Sequence, residues 1–284
     1  TSYDYGDVEI ASEVAGVTIL REPRPGANYA RNTALERVQA PFVKFLDADD
    51  LLEPNCLEIQ LKCARDTDED EIIYSNLILS RGRQSAPIDL KKLCYKSSGD
   101  AQLAEMVLRN IPISAPLYPT RAIKRIGGFD VKLNSRQEWN LNTRLALDGF
   151  RFRHCEGLSF VQRVHSGPER ISNRQLQTLI RAIAPLRAVE DARVRDALAG
   201  YVWNTGLRFI WNGKTEQSRP FYDLARSIEA QDMHGRRSRL RRLLYKLFGP
   251  ERAEIALVRA ARCKKVLKKL HQRVLARLRP GEVQ

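Results

Sequence analysis

Strand-like segments fill the first 165 residues of this chain and then stop. VTIL (17–20), FVKFLD (42–47), EIIYSNLIL (71–79), FRFRH (150–154) and LSFVQRV (158–164) carry the aromatic and β-branched residues that suit a pleated sheet. Helical runs lie between them: ARNTALERVQA, EPNCLEIQLKCA with Pro54 in its first turn, AQLAEMVLRN with Asp100 as its N-cap, RAIKRIGGF ended by Gly127 or Gly128, and SRQEWNLNTRLALDG closed by Gly149. Such alternation predicts an α/β fold. After Ser166 only helices are predicted, in RQLQTLIRAIAPLRA, RVRDALAGYVWNTGLRFIWNG and FYDLARSIEA. A three-part organisation follows: an α/β domain over 1–165, a helical extension over 166–235 and a basic amphipathic tail over 236–284.

The tail is set apart by charge. The chain carries a formal +14, and residues 236–284 hold sixteen Lys and Arg against Glu251, Glu254 and Glu282, so the first 235 residues are nearly neutral. Leu240, Leu243, Leu244, Leu247 and Phe248 recur at helical spacing between Arg239, Arg241, Arg242 and Lys246. A leucine-rich basic helix suits an anionic membrane surface, or a solvated face packed on the domain. Nucleic acid is disfavoured, because only Tyr245 and Phe248 interleave with the charges. No run reaches the ~18 apolar residues of a membrane span and no signal peptide opens the chain, so a cytoplasmic location is expected. The five cysteines are odd in number and never in CxxC spacing, which argues against a disulfide framework, and Cys56 and Cys63, seven apart on a helix, are expected in the core.

The stretch FVKFLDADDLLEP (42–54) ends an apolar strand in Asp47, Asp49 and Asp50. Two carboxylates about 5 Å apart repel by roughly 3 kcal/mol at an effective dielectric near 20, so a fold that keeps such a cluster must offset the cost. A divalent cation does so. Asp50 has a second reading, as a cap of the following turn.

Taken in order, GANYARN (26–32), FLDADD (45–50) and IGGFDVKLNSRQEWNLNTRLALDG (126–149) resemble the inverting family 2 glycosyltransferases of the GT-A fold. The resemblance covers residues 1–165. It implies a Rossmann-like mixed sheet flanked by helices, with the α-helical remainder as a C-terminal extension. It further implies transfer of a sugar from a nucleoside-diphosphate sugar, expected to be a UDP-sugar, to a hydroxyl of a glycan or lipid-linked saccharide at the cytoplasmic face of the inner membrane. Asp49 then holds Mg²⁺ or Mn²⁺ against the diphosphate, and Asp47 joins that metal or lies on the ribose side; Gly26, Arg31 and Asn32 bind the nucleotide sugar, the other reading being a helix-surface Arg31 beside an Asn32 that bonds its own backbone; and His165, after the last strand, joins the metal or diphosphate or is structural. Glu138 is the base for the acceptor hydroxyl, standing where the family usually has Asp. In a second reading Glu138 only closes an S-x-x-E capping box from Ser135. Trp139 is expected in packing, with acceptor contact as its other role. The family's first strands have no counterpart before GDVEIASEVAG, so the chain is expected to be N-terminally incomplete, and the alternative function is a degenerate or truncated scaffold or membrane-surface module without catalysis.

Overall fold

The computed structural model describes residues 16–66, 68–81, 84–90, 99–163, 176–232, 239–249, 251–261 and 263. The chain divides into two compact units, Thr1–Val194 and Arg195–Gln284.

The first unit is a mixed sheet with helices against it. Its elements are α1 (Ala27–Arg37), β1 (Phe42–Val43), β2 (Leu51–Leu52), α2 (Cys56–Arg65), β3 (Glu71–Arg81), β4 (Gln84–Ile88), α3 (Asp100–Leu108), β5 (Pro116–Pro119), α4 (Thr120–Arg125), α5 (Gln137–Leu147), β6 (Arg151–Arg163) and α6 (Leu176–Ile183). The strand order is β1-β5-β3-β6-β2, with β4 hairpinned onto β3. Among the described strands only β3 and β6 run parallel, from Glu71 opposite Arg151 to Ser80 opposite Arg163; the other pairs are antiparallel. Ile72, Ile73, Tyr74, Leu117, Tyr118, Phe152 and Phe160 are buried along these strands, beside Leu103 and Met106 of α3 and Leu141 and Leu145 of α5. Gln102 of α3 fastens the helix to the sheet, donating to the Phe150 carbonyl and accepting from the Phe152 N–H.

Several local expectations are corrected. The two returning strands are one strand, β6, interrupted by a register irregularity opposite Tyr74–Asn76. Gly157 marks the break: its φ is 125°, and a Cβ there would lie 3.2 Å from the Ile59 side chain. VTIL forms no strand, and Val17 and Ile19 are exposed, because no described strand pairs with it. The ladder of the 42–47 run is limited to Phe42 and Val43. Asp100 is the first residue of α3 and not its cap; Gly99, at a positive φ of 61°, precedes the helix. Cys63 of α2 and Cys155 of β6 form a disulfide across 92 positions, with Cα atoms 6.4 Å apart, which cysteine spacing could not reveal. Cys56 is a free, buried core thiol. The helix α6 beyond position 165 is bound to the first unit: Asn140 donates to the Ala182 carbonyl and Arg181 pairs with Asp130 at 2.6 Å.

The second unit is helical. It contains most of α7 (Ala192–Trp211), then α8 (Arg219–Arg226), α9 (Arg239–Phe248) and a helical segment over 251–261. Trp203 lies against Tyr222 with ring centroids 4.1 Å apart, and Phe209 stacks on Phe221 at 4.9 Å. Gly206 permits this approach, since a Cβ would meet both Phe221 and Tyr222 at 3.0 Å. Glu254 is fully buried and still satisfied, by Arg241 at 3.0 Å and by the Tyr245 hydroxyl. A buried carboxylate is tolerated only when paired in this way.

Candidate active site

The site is organised around Arg31. Its guanidinium is mostly buried, donates to Asp47 Oδ1 at 2.6 Å and to Gln137 Oε1 at 3.4 Å, and lies 5.3 Å from the centre of the Phe129 ring. One α1 side chain therefore bridges the aspartate loop and the start of α5, elements separated by about ninety positions in the chain. Gly26, at φ 124°, precedes α1, and its carbonyl accepts from the Tyr29 N–H.

Asn32, the next residue, faces away from this cluster. Its amide donates to the Phe129 carbonyl and accepts from the Phe129 N–H, both at 2.9 Å. Gly128 makes room for it, because a Cβ at 128 would stand 2.6 Å from Asn32 Oδ1. Asn28 likewise donates to the carbonyls of Asp130 and Leu133. Thus α1 is stitched to the 128–133 turn that delivers α5, and Asn32 has a scaffold contact where nucleotide binding was expected. Arg144 reinforces the same turn through the Ile126 and Gly128 carbonyls.

Asp47, Asp49 and Asp50 offer carboxylate oxygens that all lie within 4.8 Å of one another. Their loop is tied down by backbone bonds, with Asp50 N–H on the Asp47 carbonyl and Asp47 N–H on Ser114 Oγ. Arg163, at the end of β6, gives its N–H to Asp50 Oδ1 at 3.1 Å and its side chain to the Asp49 carbonyl. Asp50 is thus a partner of β6 and not a cap of the next turn. Burial pushes its carboxyl up to about 6, the Arg163 N–H opposing this and the charges of Asp49 and Asp47 adding to it. Three close hard oxygens, one carrying an unfavourable buried charge, are a donor set suited to Mg²⁺ or Mn²⁺.

Glu138 lies in the first turn of α5 and accepts a hydrogen bond from Asn110 Nδ2 at 3.0 Å. The capping box is absent. The N-cap is Arg136, left-handed at φ 59°, with no side-chain cap bond. Nearby, burial drives the Tyr118 phenol well above its usual range; the Glu138 charge adds to this and the Arg31 charge opposes it. Trp139 is in the core, its indole N–H on the Val107 carbonyl at 3.0 Å. His165 lies outside the described residues.

Sequence reasoning overlooked Lys44, whose only local signal is a charge inside an apolar strand. Its ammonium donates to Gln60 Oε1 and Ser159 Oγ at 2.9 Å and to the Ala115 carbonyl at 3.1 Å, fixing the 114–116 segment beneath the aspartates. Burial lowers its pKa to about 8, with Cys56 partly opposing. Because 10.5 is the unfolded value, the folded protein releases this proton first, and stability must rise with pH between about 8 and 10.5. The full rise is of order 3 kcal/mol. Urea unfolding at pH 8 and pH 10 is expected to show it in the wild type and not in Lys44→Met. Equal pH dependence in both proteins would refute the buried ammonium.

Residues 2–98 match the model of glycosyl transferase family 2. Among solved structures, residues 1–349 of S. aureus TarS in complex with UDP-GlcNAc share 18% identity with this chain at a TM-score of 0.58, over 93% of this chain and 80% of that one. A comparison with curated proteins gave no match. The segment that carries Arg31 and the three aspartates is thus similar to glycosyl transferase family 2, and the mixed sheet with its flanking helices has the GT-A fold.

Proposed function

We propose that this protein moves a sugar from a UDP-sugar to a hydroxyl of a glycan or lipid-linked saccharide, with inversion at the anomeric carbon. The bridge from Asp47 through Arg31 to Gln137, next to Glu138, is the observation that carries this reading. It ties a cluster suited to the diphosphate end of a donor to the helix that bears a carboxylate suited to the acceptor. In the proposed reaction the acceptor oxygen attacks the anomeric carbon opposite the diphosphate, the old C–O bond breaks as the new one forms, and Glu138 takes the hydroxyl proton. Arg31 holds Asp47 in place and adds positive charge near the leaving group. Asp47, Asp49 and Asp50 would hold Mg²⁺ or Mn²⁺, which when bound neutralises charge on the departing nucleoside diphosphate. TarS with bound UDP-GlcNAc makes that molecule the first donor to try. Calorimetric titration with UDP is expected to show binding with Mn²⁺ present and little without it. No heat under either condition would favour a non-catalytic scaffold.

We also infer that the reaction takes place at the cytoplasmic face of a membrane, with the protein held there peripherally. Among the described residues no helix is long and apolar enough to cross one. On α9, however, Leu240, Leu243, Leu247 and Phe248 are each more than half exposed, while Tyr245 and Arg241 turn inward to Glu254. An exposed apolar stripe on a helix that also carries Lys246 is suited to anionic lipid. Co-sedimentation with phosphatidylglycerol vesicles is expected, weakened by salt and lost in Leu243→Ser/Leu247→Ser; undiminished pelleting of that variant would refute it.

A further inference from the structure

We propose that Asn110 is the positioning residue of Glu138, the contact that holds its carboxylate in working geometry. The inference rests on the reading of Glu138 as base and deepens it.

A glutamate in the first turn of a helix carries its carboxylate on three rotatable bonds, and a proton acceptor must be held to within a fraction of an ångström. Glu138 has no capping bond to restrain it. What restrains it is the Asn110 amide, 3.0 Å from Oε1. The direction of this bond is fixed by chemistry, because a carboxylate can only accept, so the amide NH₂ must face it. Asn110 Oδ1 is consequently turned into a buried position with no hydrogen-bond partner among the described residues. An asparagine that forgoes one bond to keep another gives up stability for that contact.

The segment that presents Asn110 is rigidly attached to α5. Trp139 donates its indole N–H to the Val107 carbonyl, and Asn142 donates its amide to the Ile111 carbonyl at 3.0 Å. The Tyr118 hydroxyl donates in turn to Asn142 Oδ1 at 2.9 Å. Trp139, Asn142 and Tyr118 are all buried. Asn110 therefore sits between two backbone positions anchored to the helix that bears Glu138, and its amide is aimed before any substrate arrives. This arrangement accounts for a glutamate at a position where the resemblance leads one to expect aspartate. The extra methylene moves the carboxylate by about 1.5 Å, and a fixed donor removes the freedom that comes with it.

The test uses the full chain. The Asn110 side-chain amide is assigned by ¹⁵N NMR from its loss in Asn110→Ala, and in Glu138→Gln it is expected to move further than any other asparagine amide; an unmoved resonance overturns the contact. Turnover is read as UDP release from UDP-GlcNAc with water as acceptor. Asn110→Ala is expected to lower kcat by roughly 10- to 100-fold, leaving the UDP dissociation constant within about twofold and the melting temperature near wild type. Wild-type kcat in Asn110→Ala, with Glu138→Gln inactive, would leave the base in place and overturn the role of Asn110. A joint fall in kcat, UDP affinity and melting temperature would make Asn110 structural and overturn it equally. Full activity of Glu138→Gln would remove the base reading, and this proposal with it.

Discussion

Glu138→Gln is expected to reduce sugar transfer by roughly 10²- to 10⁴-fold, the usual worth of a general base, while leaving UDP affinity and thermal stability close to wild type. The substitution keeps the length and volume of the side chain and an oxygen that can still accept from Asn110. It makes no demand on the helix start, since the side chain does not cap α5. What it removes is the ability to take a proton. The loss should fall on kcat and not on donor binding, because the acceptor hydroxyl is deprotonated only as the bond forms. Steady-state UDP release and calorimetry on the same preparation separate the two. Turnover within a few-fold of wild type would end the candidacy of Glu138.

The outline of this molecule is legible in the sequence because its signals are local. Strand-like β3, helix α5 with its closing Gly149, the Gly127-Gly128 turn after α4 and the acidic end of the 42–47 run are set by neighbouring residues. Residues whose roles depend on distant partners could not be read in the same way. Lys44 finds its acceptors at positions 60, 115 and 159, and Cys63 finds Cys155. Arg31 and Asn32 show the limit most sharply. Neighbours on a helix point about 100° apart, so the motif that names both cannot say which one enters the site and which one locks the Phe129 turn. Similarly, the S-x-x-E spacing at 135–138 is a capping pattern by composition alone, and the left-handed Arg136 that voids it is a property of the folded backbone. VTIL has the composition of a strand and no described strand beside it, so local propensity is not enough to form one.

Asp49→Asn is the variant that best isolates cation binding, and it is expected to abolish the Mn²⁺ dependence of UDP binding and to weaken UDP affinity in the presence of Mn²⁺ by on the order of 100-fold, with turnover falling in parallel. The other two aspartates are poorer probes. Asp47 accepts from Arg31, and Asp50 is buried and accepts from the Arg163 N–H, so replacing either one disturbs packing as well as charge. Asp49 is exposed, and its backbone carbonyl accepts from the Arg163 side chain, a contact the substitution keeps. Removing one of three mutually repelling carboxylates also relieves strain in the cation-free protein, so the melting temperature measured in EDTA should be unchanged or higher than wild type. Loss of function without loss of stability distinguishes a ligand from a scaffold residue. If UDP binding by the Asp49→Asn variant responds to Mn²⁺ as the wild type does, the cation is held elsewhere.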